Sequence, residues 1–371
     1  MNLLRAERAL LERALPGFDD RLVEWGAAVE DPDSGVLEAF RAADGGNLLI
    51  PEAMGGAGLS CHDGVLLQRA VGSRAPSLAV ASTMHHYKVA WLADALGTEA
   101  APVLRDITAR RHLVASCGAE GQVGRNLFTP GIEVSTAPGG LFVSGTKRPC
   151  SLARSMGLLS LSATAPAGSP HEGRLLILMI PADTPGVHRQ PFWHNPVLRA
   201  TESDAVILEE VFVPDAMAIS LGDPALTPEP LTSNLLWFQI LITASYLGIA
   251  TGLVEQLFVE KRGTAGDRAA ALAPLESQCA ALESLARAVD DGHRDEHLLG
   301  RTLLVRYTTQ RAIAEATDRA LELGGGIPFV TGTRNVDLLA ASRALAFHPP
   351  SEISMRERLD SWLAGGPLTL A

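Results

Sequence analysis

One run, LLWFQILITASYLGIATGLV from Leu235 to Val254, limits what this chain can become more than any other feature. Wound as a helix it is apolar on every side, so it has no face to give to water. Such a helix either crosses a bilayer or is enclosed by protein. Gln239, Thr243, Ser245, Tyr246 and Thr251 interrupt the run and no basic cluster flanks it, which favours enclosure over a membrane span. The remaining sequence must then provide helices to surround it.

It does so in two blocks separated by a third of different character. Residues 1–113 carry apolar side chains at helical spacing (LLRAERALLERAL, SGVLEAFRAA, DGVLLQRAVG, YKVAWLADALG), broken by the Pro/Gly-rich LLIPEAMGGAGLS. Residues 114–225 change to short alternating runs (GIEVST, LFVSGTK, GLLSLSAT, GRLLILMIP, DAVILEEVFVP), and APGG between the first two is a hairpin signal. The adjacent glutamates in DAVILEEVFVP shift the alternation, as a bulge does. Residues 226–371 are helical again. The sequence therefore predicts an α+β fold: a helical N-terminal domain, an antiparallel, barrel-like middle domain of six to eight strands and a C-terminal four-helix bundle.

At 371 residues the chain is long enough for two or three such units, at roughly 150 residues each. A net charge of −11 argues against a nucleic-acid partner, which requires a basic face. Cys61, Cys117, Cys150 and Cys279 are scattered, as reduced thiols in a cytoplasmic protein are. The first residues, MNLLRAERALLERALPGF, alternate charge with leucine and lack the apolar core of a secretion signal.

Residue patterns alone carry little chemistry. The glycine-rich PEAMGGAGLS and LELGGGIP read as turns or helix stops. His85 and His86 are adjacent, so on a helix they diverge and cannot pair on one metal. The plain expectation is one packed and one solvated, with a substrate-pocket role for one as the functional alternative. His293 and His297 in HRDEH have ligand spacing but sit in a charged stretch that reads as a solvated helix start, so no metal site is expected.

The order of the motifs says more. IPEAMGGAGLS, ALGTEAAPVLRDI, LFVSGTKRPCS, GVHRQPFWHNPVLRATESDAVILEEVFVPD, YLGIA and LELGGGIPFVTG follow one another as they do in the acyl-CoA dehydrogenase superfamily, and the chain resembles that superfamily over its whole length. The resemblance implies a flavin along GTKRPCS, with Cys150 and Ser151 at it and Ser151 close to the reacting centre. It further implies cofactor contacts from Gly118 and Glu120 in GAEGQVGRN, from Gly324 and Gly325 in LELGGG, and from Ser351. It places a substrate pocket between the helix bearing His85 and His86, the β-domain edge and the apolar helix, where Trp237 and Gln239 fall. It also implies a homotetramer or dimer built through the C-terminal helices.

The departures from the pattern are as informative. SRALAFHPPSEIS lies over the segment that carries the dehydrogenases' glutamate base, and His348 stands at that position. The alternative base position, in LLWFQILIT, has no acid either. The arginine-rich turn that grips a flavin pyrophosphate is reduced to KRGTAGD. These features are similar to the oxygenase branch, whose members take reduced FAD or FMN from a separate reductase. The leading expectation is a flavin monooxygenase hydroxylating carbon or nitrogen of a small or carrier-bound substrate. Two alternatives stand beside it: an acyl-CoA or acyl-carrier-protein dehydrogenase with His348 as base, and a catalytically silent binding subunit.

His348 precedes proline, which holds it extended, and Ser351 is placed to cap SEISMRERLDSWL. The positive end of that helix would disfavour imidazolium. A neutral imidazole there could hydrogen-bond reactive oxygen at the flavin or take a proton from an amine or phenol. In the bland alternative it merely fills the space of a lost glutamate.

Overall fold

The computed structural model describes residues 2–120, 130–223 and 228–370. Six α-helices come first: α1 (Arg5–Ala14), α2 (Phe18–Trp25), α3 (Val36–Ala42), α4 (Cys61–Arg74), α5 (Pro76–Leu96) and α6 (Ala101–Arg110). Eight strands follow: β1 (Leu113–Cys117), β2 (Glu133–Ala137), β3 (Gly140–Cys150), β4 (Met156–Thr164), β5 (Leu175–Pro181), β6 (Val187–Gln190), β7 (Asp204–Pro214) and β8 (Ala218–Gly222). The chain closes with α7 (Glu229–Val259), α8 (Ala265–Asp290), α9 (Glu296–Gly324), α10 (Gly326–Thr331), α11 (Arg334–Ser342) and α12 (Glu352–Leu363). Helices, then sheet, then helices is the order the sequence predicts.

The apolar run lies inside α7, and its most hydrophobic window is wholly buried. Helices α4, α5, α8, α9 and α11 of the same chain surround it. The chain's own helices are therefore what enclose it, as the run requires. The crossing of α4 and α7 is unusually close because the contact points lack side chains. A Cβ on Gly248 would stand 2.4 Å from the Arg69 carbonyl oxygen, and one on Gly72 2.4 Å from that of Ser245. Gly252 faces the Ser73 carbonyl in the same way.

The strands form two four-stranded sheets, ordered β1-β4-β5-β8 and β2-β3-β7-β6. Leu141, Val143, Val206 and Leu208 of one meet Leu159, Leu161, Leu176 and Leu178 of the other in a shared core. The expected hairpin is present: Ala137 pairs with Gly140 around a Pro138–Gly139 turn, with Gly139 at φ 75°. So is the bulge, since Val143 faces Val211 while Gly145 faces Leu208, and Glu210 takes φ 49°. The expectation of a wholly antiparallel domain fails at one place: β1 runs parallel to β4. The chain leaves β1 for the β2–β3 hairpin of the other sheet before returning, and a crossover of that kind delivers a parallel neighbour.

The glycine seam gives a test. Replacing Gly248 by Ala adds helix propensity of about 1 kcal/mol but drives Cβ into backbone. A net loss of about 1–3 kcal/mol is expected, read as a lower thermal midpoint. An unchanged midpoint would mean that α4 and α7 separate without cost.

Candidate active site

A cavity of about 210 Å³ opens where α5, α7, the strands and the segment after α11 converge. Helix α5 contributes Val80, Met84, Tyr87 and Lys88, whose spacing puts them on one face. Helix α7 contributes Asn234, Leu235, Phe238 and Tyr246. Ser116, Gly118, Ser151, Ser160, Ser162, Thr201 and Ser203 form the strand side, and Phe347, His348 and Pro349 close the remaining wall. No carboxylate lines this cavity among the described residues.

His348 reaches it from a turn that one side chain holds. Arg306 of α9, fully buried, donates through Nη1 to Pro349 O at 3.3 Å and Pro350 O at 3.2 Å, and through Nη2 to Leu345 O at 3.1 Å. It also bonds the carbonyl of His348 itself and Gln239 Oε1. Gln239 Nε2 donates to Pro349 O at 3.0 Å, and Tyr307 donates its hydroxyl to Pro350 O at 2.9 Å. His348 takes φ −73°, ψ 138°, the extended geometry expected before proline. Its Nε2 lies 3.0 Å from the Tyr246 hydroxyl. The Phe238 ring meets it edge-on, with centroids 5.9 Å apart.

Part of the His348 ring is open to the cavity. Protein nonetheless surrounds it closely enough that burial, and then the Arg306 guanidinium, hold its pKa down at about 3. The imidazole is thus held neutral by burial and a neighbouring cation, two causes that the sequence did not reveal. A group held so low is a poor acceptor for a proton from an ammonium ion. Tyr246 is pushed well above the usual phenol range by burial, so it stays a phenol. Lys88 is 3% exposed, and burial brings it down to about 7. Its Nζ sits 4.8 Å from the Tyr87 ring centroid and 5.2 Å from that of Trp91.

The strand wall is a set of hydroxyls. Thr201 Oγ1 donates to Leu198 O at 2.7 Å, its one proton. Ser203, 2.7 Å from Thr201 Oγ1, must then donate to it, and Ser151, 2.9 Å from Ser203, must donate to Ser203. Ser151 therefore turns only lone pairs toward the cavity. Ser160 and Ser162, two apart on β4, face the same way with buried hydroxyls that have no partner among the described residues, and the same holds for Asn234 Nδ2. Unpaired buried donors and acceptors are costly. The serine hydroxyls fit the edges of a flavin ring, which carry both N–H donors and carbonyl acceptors.

Of the residues singled out from sequence, His348, Ser151 and Gly118 line the cavity. The others have different employment. His85 and His86 are both packed, at 0% and 1% exposure. His85 uses Nε2 on Gly46 O and accepts Val114 N–H at 2.9 Å, while His86 contacts Gly45 O at 2.9 Å and Gln68 at 3.1 Å. Burial lowers their pKa values to about 3 and about 4. They staple α5 to the Gly45–Asn47 turn and β1 beside the cavity instead of lining it. Trp237 donates to Asp94 Oδ2 at 3.3 Å in a separate groove, and Gln239 braces Arg306.

Glu120 is spent on Lys147, at 2.7 Å, and on the Gly131 amide. Cys150 is buried behind Ser151, outside the cavity lining. Ser351 caps α12 by accepting Ser354 N–H at 3.2 Å. Gly324 and Gly325 end α9, Gly325 at φ 82°, and do not reach the cavity. The rest of GAEGQVGRN lies outside the described residues. Sequence reasoning missed Arg306, Lys88 and Asn234. Lys88 left one signal, a single cation within the otherwise uncharged stretch PSLAVASTMHHYKVAWLA.

No protein-family model matches the chain. An isobutylamine N-hydroxylase from Streptomyces viridifaciens is 36% identical to it over the full length of both. The chain belongs to the flavin-dependent monooxygenase branch of the acyl-CoA dehydrogenase superfamily. Solved structures agree on the fold. The dibenzothiophene monooxygenase TdsC from Paenibacillus sp. A11-2, with FMN and indole, superimposes at a TM-score of 0.85 and 19% identity, covering 97% of this chain and 99% of that one. A nitrososynthase from Micromonospora carbonacea var. africana gives 0.81 and 18%, covering 98% of each. The monooxygenase is thus a flavin oxidoreductase rather than a dehydrogenase, and its acid-free cavity is consistent with that.

Two tests follow from the geometry. His85, His86 and His348 have folded pKa values near 3, 4 and 3, below about 6.5 in the unfolded chain. Their neutral burial stabilises fully above that value and is lost as pH falls toward the folded values, by up to about 1.4 kcal/mol per pH unit for each group. Urea midpoints are expected to drop between pH 6.5 and 5, above the carboxylate range; a flat profile would contradict the burial. Separately, Arg306→Lys keeps the charge but not the planar fork. It should cut oxygenation about 10²-fold through misplacement of His348 while flavin still binds. Full activity would show that the turn holds itself.

Proposed function

We propose that the enzyme N-hydroxylates a small aliphatic primary amine with reduced FMN and O2. The observation that carries this reading is the neutral His348–Tyr246 pair facing a small, mostly apolar cavity with no carboxylate. The full-length likeness to an isobutylamine N-hydroxylase supplies the substrate class. A cavity of about 210 Å³ would suit a short alkyl chain better than a substrate on a carrier arm. Val80, Met84, Leu235 and Phe238 would hold that chain.

Ser151, with its proton committed to Ser203, and the unpaired hydroxyls of Ser160 and Ser162 would hold the flavin edge. Bound in reduced form, flavin supplies two electrons to O2, so that one oxygen atom reaches the amine nitrogen and the other leaves as water. His348 orients rather than abstracts. Its Nε2 is engaged by Tyr246, so Nδ1 takes the complementary role: donor if the phenol donates, acceptor if the phenol accepts.

FMN, delivered by a separate reductase, is favoured over FAD by the complex with the dibenzothiophene monooxygenase. The exposed Ile327, Phe329 and Val330 of α10 support a dimer or tetramer through the C-terminal helices. The burial of α7 supports a soluble enzyme, and the four free, buried cysteines are consistent with a cytoplasmic one. A partition at 1–113, 114–225 and 226–371, the last as a four-helix bundle, is consistent with strands running from Leu113 to Gly222 and α7 starting at Glu229.

The test supplies the protein with reduced FMN, O2 and isobutylamine and looks for the hydroxylamine by mass spectrometry. His348→Ala should keep its fold and flavin affinity but lose about 10²-fold or more in product formation. No hydroxylamine from the unaltered enzyme would refute the reading. An equally active His348→Ala would leave the imidazole as a space-filler.

A further inference from the structure

Lys88 has no part in the roles assigned so far. It is buried, projects into the cavity from α5, and no described carboxylate pairs with it. What it meets is the ring faces of Tyr87 and Trp91 on its own helix. The cavity's other titratable groups are Tyr87 on the same helix, whose hydroxyl pairs with Ser116, Tyr246 from α7 and His348 from the turn, with the Arg306 guanidinium of α9 behind them. None of these is a carboxylate. Asp94, further along α5, is engaged by Arg294, Ser233 and Trp237, and it does not line the cavity.

Sites that take ammonium ions meet the charge with a carboxylate or an aromatic cage. Here an entering ammonium would find Lys88, a neutral imidazole and the Nδ2 donor of Asn234, which has no partner among the described residues. Of the aromatic residues in the lining, Tyr87, Trp193, Phe238, Tyr246 and Phe347, the Tyr87 ring already carries the Lys88 cation. A free amine has a lone pair that can accept from Asn234; an ammonium ion has none. The same lone pair is what the nitrogen needs to form a bond to oxygen. Burial brings Lys88 to about 7, so it is charged on the acid side of neutrality, where substrate amines are almost wholly protonated.

Resting on the amine reading above, we propose that Lys88 and Asn234 make the cavity select the uncharged form of its substrate, so that the ammonium proton is left in bulk water before binding and no side chain need remove it. Charge exclusion by Lys88 would then be a specificity determinant, and less basic amines would bind better at neutral pH than strongly basic ones of the same shape.

The test is anaerobic calorimetry on the FMN-loaded enzyme with isobutylamine and its uncharged isostere isobutanol, between pH 6 and 9. An alkylamine has a pKa near that of a lysine side chain, about 10.4, so its free-base fraction rises about tenfold per pH unit in this range. The amine Kd should fall by about that factor per unit while the alcohol Kd stays level. At pH 6, Lys88→Met should tighten the amine at least about tenfold, relative to the alcohol. Lys88→Gln, which keeps a polar end, provides a second variant if the first folds poorly. Amine affinity that does not change with pH, or an amine-to-alcohol ratio unchanged in both variants, would overturn the role of Lys88. If the enzyme never converts the amine to a hydroxylamine at any pH, the amine reading itself fails. Conversion accompanied by flat affinity defeats only the charge filter.

Discussion

The guanidinium of Arg306 is the contact on which the site rests. The 3₁₀ turn over Arg343–Phe347 cannot continue past His348, because two prolines remove donors and fix φ. Side chains meet the carbonyls there instead, Gln239 at Pro349 O and Tyr307 at Pro350 O among them. Arg306 collects four of these carbonyls in one planar fork and passes a further bond to Gln239 on the core helix. The helix surrounded on all sides and the turn that carries His348 are thereby joined by one side chain. The same cation lies close enough to help keep the imidazole uncharged. The position of the reactive wall, and part of its neutrality, thus trace to one side chain, with burial supplying the larger part of the latter.

A second consequence concerns the dehydrogenase relatives this chain resembles. Removing an α-proton from a thioester needs a base, and both places where that branch carries a carboxylate are vacant here. The cavity instead combines a neutral ring, a phenol and a lone buried ammonium. Such a site can orient and exclude, but it is ill suited to pulling a proton. Oxygen transfer to a nucleophilic nitrogen makes a smaller demand, because the substrate brings its own lone pair.

Local rules made much of this legible in the sequence. APGG marked its hairpin, the paired glutamates of DAVILEEVFVP marked the bulge, and Ser351 was readable as a cap, since each depends on neighbours within a few residues. The apolar run announced a surrounded helix. His348 stood out because an order of motifs framed it. What escaped was long-range. Nothing local distinguishes Arg306 from other helical arginines, because its partners lie some forty residues further along the chain. His85 and His86 invited a pocket role since polar residues in apolar helices often have one, yet their acceptors are carbonyls of a turn far back in sequence. Ser160 and Ser162 look ordinary in a strand, and only the missing partners make them notable. The parallel β1–β4 pair depends on a crossover that no local pattern records.

The glycine seam between α4 and α7 also bears on how this enzyme diversifies. A helix seated backbone to backbone cannot slide or tilt to admit a longer molecule. On the amine reading, the wall formed by Leu235 and Phe238 would then act as a fixed ruler, and the length it measures would change only when a side chain on it is exchanged. In such a scaffold, substrate range would evolve in steps of a methylene or a ring while the fold beneath stays constant.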